Sequence, residues 1–228
     1  MRATSLIGSR GDLLAYLPAA VTTTVAGVAG RHRAHVVSKM LLAPTLAAGV
    51  LTTRAERRTA RTGALLAALA GSTVGDWFMY RSSRTTGRTS RQHMRRGASA
   101  FGVQQIGLLA LLVRDGAHPR RASSTAAAAV MAGLALLDSD GGAPDPVLGG
   151  YGLLLGSMSA LAMGEGRSPR AGRAIALGGG LFLLSDAAII VGQQCVSGPR
   201  LRAVADGVIL TTYTAALALL VHGLREEP

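Results

Sequence analysis

Apolar residues run along this chain in long, nearly continuous blocks, separated by short polar stretches rich in arginine. Such blocks show neither the period-two alternation of a half-buried strand nor the single apolar stripe of a soluble helix. A bilayer core needs roughly 20 mostly apolar residues per helix. Irregular backbone cannot face lipid, because its N–H and C=O groups would find no partner, so each block must be a helix. The pattern predicts eight: Leu13–Ala29, His35–Thr53, Thr62–Tyr80, Ala98–Val113, Ala122–Leu137, Val147–Met163, Ala174–Gly192 and Ala203–His222. The fourth and fifth are short, and are expected to extend a turn into their flanks. The expected fold is all-α: a polytopic membrane helix bundle of about eight transmembrane helices, in one domain over residues 1–228. The first block follows Arg2 and Arg10, as a signal peptide would. It is long for one and contains Pro18, so a retained helix is expected.

Composition agrees with the pattern. The chain is 49 % hydrophobic and only 16 % charged, against about 25 % charged for a soluble domain. The net charge of +12 comes almost wholly from arginine, since Lys39 is the single lysine. A nucleic-acid interface would gather these charges on one face beside aromatics or a recognition helix. Here they lie between apolar blocks, where juxtamembrane charges attract anionic headgroups. Membrane lipids, and no nucleic acid, are therefore the expected partners. With one cysteine, no internal disulfide forms; Cys195 is expected to pack rather than to act as a nucleophile. The five histidines (His32, His35, His93, His118, His222) lack metal-binding spacing, so neither metal nor cofactor is predicted.

Loop arginines set the orientation. The N-terminus, the loops after the second, fourth and sixth helices and the C-terminus hold thirteen, and the opposite loops ten, six of them between Arg81 and Arg96. The expectation is a multi-pass protein of a bacterial cell membrane with both termini cytoplasmic. The loop Asp138–Pro146, with three acids and no base, suits the outer side. The third and seventh helices each carry a small-residue stretch ending in Gly75-Asp76 or Ser185-Asp186. That spacing suggests two four-helix units of like orientation.

Acids inside a span cost roughly 2.5–3.5 kcal/mol near the helix centre, so Asp76 and Asp186 need a reason. Both helices start on the same side, and counting about 1.5 Å per residue puts the two carboxylates within about 3 Å of one another in depth. Lys39, near the start of the antiparallel second helix, falls in the same half of the membrane, as do Tyr151 and Asp206. Together they would form a polar pocket opening to one side. The plainer readings are an Asp76–Lys39 brace, a snorkelling Lys39, Tyr151 as an interfacial anchor and Asp206 as a water-facing residue. Buried ion pairs are weak stabilising devices, and three charges exceed what a brace needs. A functional role is expected for Asp76 and Asp186, and the plainer reading for Tyr151 and Asp206.

At these residues the sequence resembles the YhhN-like lysoplasmalogenase family of eight-helix membrane proteins. The matching pieces, in order, begin with Ser38-Lys39 before Leu41-Leu42-Ala43-Pro44, then Ala64-Leu65-Leu66-Ala67 leading to Gly75-Asp76-Trp77-Phe78-Met79, and Gly97 with Phe101. Tyr151 with Met158 and Ala162 follow, then Gly179-Gly180-Leu181-Phe182 leading to Ser185-Asp186, and Thr212-Tyr213. The chain departs from the family at Met40, where proline is usual. Gln105 stands for a histidine, Leu108 for a tyrosine and Leu217 for a glutamine.

The resemblance implies hydrolysis of the vinyl ether bond of a lysoplasmalogen, giving a fatty aldehyde and a glycerophospho-alcohol. Asp76 and Asp186 would be catalytic, and Lys39, Tyr151 and Tyr213 would bind the lysophospholipid. The chemistry suits paired carboxyls, because vinyl ether cleavage shares its oxocarbenium intermediate with glycoside hydrolysis. The competing readings are a proton-coupled transporter of small solutes or lipids, which broken helices would favour, and a scaffold whose aspartates only pair helices.

Overall fold

Eight helices fill the described residues of the computed structural model, which are 11–52, 59–138, 145–164 and 169–225. They are α1 (Gly11–Val28), α2 (His32–Thr52), α3 (Thr59–Ser83), α4 (Gly87–Arg114), α5 (Arg121–Asp138), α6 (Pro146–Ala162), α7 (Pro169–Cys195) and α8 (Pro199–Arg225). Among the described residues α1, α2, α4, α7 and α8 are long and apolar enough to cross a membrane. The apolar α6, with 17 residues, is shorter, and α3 and α5 are diluted by alanine, glycine, serine and threonine. Thr53, expected to end the second helix, and positions 139–144 of the acidic loop lie outside the described residues.

Helix starts follow local chemistry. Proline opens α6, α7 and α8, the position where its missing N–H costs nothing and its fixed φ is already helical. At α6 the Asp145 side chain also accepts from the Val147 N–H at 3.0 Å, capping the free donors of the first turn.

The largest departure from expectation is α4. It begins eleven residues before Ala98, so most of the segment Arg81–Arg96 is helix and only residues 84–86 link α3 to α4. Gly87, at φ +60°, makes the turn. Hydropathy marks where lipid ends, not where the helix ends. Twenty-eight residues at about 1.5 Å each exceed the bilayer core by roughly 12 Å, and the polar end lies in that excess. The arginines are anchored there: Arg95 pairs with Asp145 at 2.6 Å, and Arg96 lies 5.8 Å over the Phe78 ring, a cation–π contact.

The helices form a circuit in which α8, α1, α2, α3, α4, α6 and α7 each pack on the next, and α7 returns to α8; α5 packs outside, on α6 and α7. Pairings in the two halves correspond: α3 on α4 and α7 on α8, α2 on α3 and α6 on α7, α4 on α6 and α8 on α2. This is the four-plus-four arrangement, broken by α1 and α5. Large apolar side chains point outward on α1, among them Leu14, Leu17, Val21 and Val25, as lipid requires.

At the end opposite the candidate site, charges clasp α8. Arg225 reaches Asp12 of α1 at 2.6 Å and the Leu46 carbonyl of α2 at 3.2 Å. Arg61 of α3 pairs with Asp115, which caps α4, and donates to the Leu224 carbonyl at 2.7 Å.

Small residues let the paired helices approach closely. A Cβ on Gly71 would stand 2.6 Å from the Ala100 carbonyl oxygen and 2.9 Å from the Gln104 N of α4. In the second half, one on Gly178 would stand 3.1 Å from the Leu220 N. Gly71→Ala must therefore push α3 from α4 and cost about 1–3 kcal/mol. Gly63→Ala, on the same helix with nothing within 4 Å, should stabilise by roughly 0.5–1 kcal/mol. Thermal unfolding of the two variants in detergent checks the contrast; equal shifts would disprove close approach at Gly71.

Candidate active site

Five helices bring the chemistry together. Asp76 of α3 is only 2 % exposed, and its two oxygens have different partners. Oδ1 pairs with the Lys39 Nζ of α2 at 3.0 Å, and Oδ2 accepts from the Tyr213 hydroxyl of α8 at 2.8 Å. With the phenol proton directed to Asp76, Ser72 donates to the phenol oxygen at 2.7 Å. Ser72 stands four residues before Asp76, one turn away on the same face of α3.

Asp186 of α7 has a different setting. Its Oδ2 accepts from the Tyr151 hydroxyl of α6 at 2.5 Å. Next to it, Ser185 donates to the Ile209 carbonyl at 3.1 Å and ties α7 to α8.

The two carboxylates belong to one cluster. Lys39 acts electrostatically on both Asp76 and Asp186, and Asp76 acts on Tyr151. The Phe101 ring of α4 lies 6.3 Å from both the Tyr151 and the Tyr213 rings. Phe182 also packs edge-on against Tyr213, at 5.8 Å. Asp76 and Tyr213 are buried, while Lys39, at 18 % exposed, Tyr151 and Asp186 are partly buried.

Of the six residues singled out in the sequence, Lys39, Asp76 and Tyr213 form one bonded group and Tyr151 and Asp186 another, with the Phe101 ring packed between their tyrosines; Asp206 joins neither. Tyr151 is corrected from interfacial anchor to partner of a carboxylate. Lys39 turns inward to Asp76 instead of snorkelling. Asp206 is exposed and lies outside the hydrogen-bonded cluster, interacting with His35. Cys195, expected to pack, is exposed at the end of α7. Leu108 and Leu217 are buried core residues. Ser72 was missed; its signal was the four-residue spacing to Asp76.

The site also carries the duplication. Lys39 and Tyr151 are 112 residues apart, Asp76 and Asp186 are 110, and Phe101 and Tyr213 are 112. Each pair sits on equivalent helices of the two halves. Lys39 meets Asp76 as Tyr151 meets Asp186, so one carboxylate faces a cation where the other faces a neutral phenol. Such an arrangement can hold one group as an anion and leave the other free to carry a proton. Among the described residues no three His, Cys, Asp or Glu side chains converge as metal ligands would.

No curated protein and no solved structure matches the chain at a significant level. A model of the YhhN family matches residues 34–224, a stretch that contains every member of the cluster. The chain belongs to the YhhN family.

Proposed function

We propose that this protein is a membrane hydrolase that cleaves the vinyl ether bond of a lysoplasmalogen or related lysolipid, releasing a fatty aldehyde and a glycerophospho-alcohol. One observation carries the reading: two intramembrane carboxyls share a cluster, one beside an ammonium and the other beside a phenol.

Cleavage begins with transfer of a proton to the β-carbon of the vinyl ether, which leaves an oxocarbenium ion. Water adds to its carbon, and the hemiacetal then collapses to aldehyde and alcohol. Asp186, whose hydrogen-bond partner is neutral, is the proton donor. Asp76, held as a carboxylate by Lys39, stabilises the cation and takes the proton of the attacking water. The division follows glycosidases, in which one carboxylic acid donates and the other carboxylate stabilises or activates water. Lys39, partly exposed, also meets the lipid phosphate, and the apolar helix faces hold the hydrocarbon chain. With both termini cytoplasmic, the cluster would open toward the outer side of the cell membrane.

A proton-coupled transporter would be favoured by helices broken at the acids. Both α3 and α7 run unbroken through Asp76 and Asp186, which favours the hydrolase.

Purified protein should release aldehyde from lysoplasmalogen, and Asp76→Asn and Asp186→Asn should each lower kcat by about 10²–10⁴-fold while the fold persists. Equal turnover by all three proteins would remove the aspartates from the mechanism. Tyr213→Phe deletes one hydrogen bond to Asp76 and leaves the ring packing. It should lower kcat about tenfold, as loss of a bond to a charged group implies, with little change in KM. A change confined to KM would assign Tyr213 to lipid binding instead.

A further inference from the structure

Gln105 is 0 % exposed, in α4, one turn beyond Phe101. Among the described residues neither its Nε2 nor its Oε1 makes a well-formed hydrogen bond; the polar neighbour within reach of its N–H is the Tyr151 phenol, and its oxygen is left without a donor. A buried amide so poorly matched is costly; the neighbouring Gln104 is in the same state, but it is Gln105 that lies beside Tyr151 of the site.

The second half of the chain gives an internal comparison. The residue 112 positions further on, the same offset that relates Phe101 to Tyr213, is Leu217 of α8, 1 % exposed and part of the core. Leucine has nearly the volume of glutamine and fills the equivalent place, so the shape of the site does not demand an amide. The Tyr151 phenol directs its only proton to Asp186 and leaves its oxygen able to accept. The amide beside it offers a donor and an acceptor at once. A hydroxyl answers both, because it donates through its hydrogen and accepts through its lone pairs.

We propose that Gln105 is a specificity residue that binds a free hydroxyl of the ligand beside Tyr151. Resting on the lysolipid reading above, that hydroxyl is the one on the glycerol carbon next to the ether. A lipid acylated there offers no donor and does not fit the amide.

The test separates binding from turnover by using saturated 1-O-alkyl glycerophosphocholine, which has no vinyl ether to cleave, and its 2-deoxy analogue. Wild type should bind the hydroxyl lipid roughly tenfold to a hundredfold more tightly than the analogue, as one or two hydrogen bonds in a buried site imply. Gln105→Leu should bind both equally, at the analogue's affinity. Without lipid it should unfold at a temperature no lower than wild type, since it removes an unmatched polar group and adds none. Retention of the hydroxyl preference by Gln105→Leu, or its absence in wild type, overturns the proposal. A lowered unfolding temperature in the variant also overturns it, because the amide would then be bracing the fold. Hydroxyl preference without aldehyde release from the alkenyl lipid would refute the hydrolase reading and leave the Gln105 site standing.

Discussion

A carboxylate buried among membrane helices needs a compensating charge, and the pairing of Asp76 with Lys39 is the constraint around which this bundle is built. Removing either partner would leave an uncompensated charge in a medium that solvates it poorly. The pair fixes α2 against α3 at one depth. The second oxygen of Asp76 draws in Tyr213, which positions α8, and Phe101 and Phe182 then close on the Tyr213 ring. The polar centre thus sets the position of the apolar helices that carry it. Those helices gain little from lipid exclusion alone and depend on close packing and polar contacts.

The internal duplication explains how two carboxyls of the same type come to have unlike surroundings. Each half supplies an aspartate on its third helix and a partner on its second. In the first half the partner is a cation and in the second a phenol. Near the junction of the halves, Phe101 and Tyr213 occupy equivalent places, and only the tyrosine hydrogen-bonds to a carboxylate. Small changes at matched positions therefore turn a symmetric scaffold into an asymmetric site, which a reaction needing both a proton donor and an anionic stabiliser requires.

Stability and chemistry are also separated along the bundle. The Arg225–Asp12 and Arg61–Asp115 pairs clasp the end opposite the site, while Gly71 and Gly178 tighten the middle.

The order and number of the helices were legible from the apolar blocks, because lipid leaves a buried backbone almost no alternative to a helix. The shared depth of Lys39, Asp76, Tyr151 and Asp186 was legible too, since a helix converts residue counts directly into distance. Hydropathy did not locate the true start of α4, because helices continue past the edge of the apolar layer. Depth also could not say which groups touch: rotation about each helix axis and the choice of neighbours are decided by packing between helices distant in sequence. Tertiary structure alone matched Asp76 with Lys39 and Tyr213, matched Asp186 with Tyr151, set Asp206 aside and brought the Gln105 amide beside Tyr151. Position along a span follows from the local chain, whereas the direction in which a side chain points across it depends on the whole bundle.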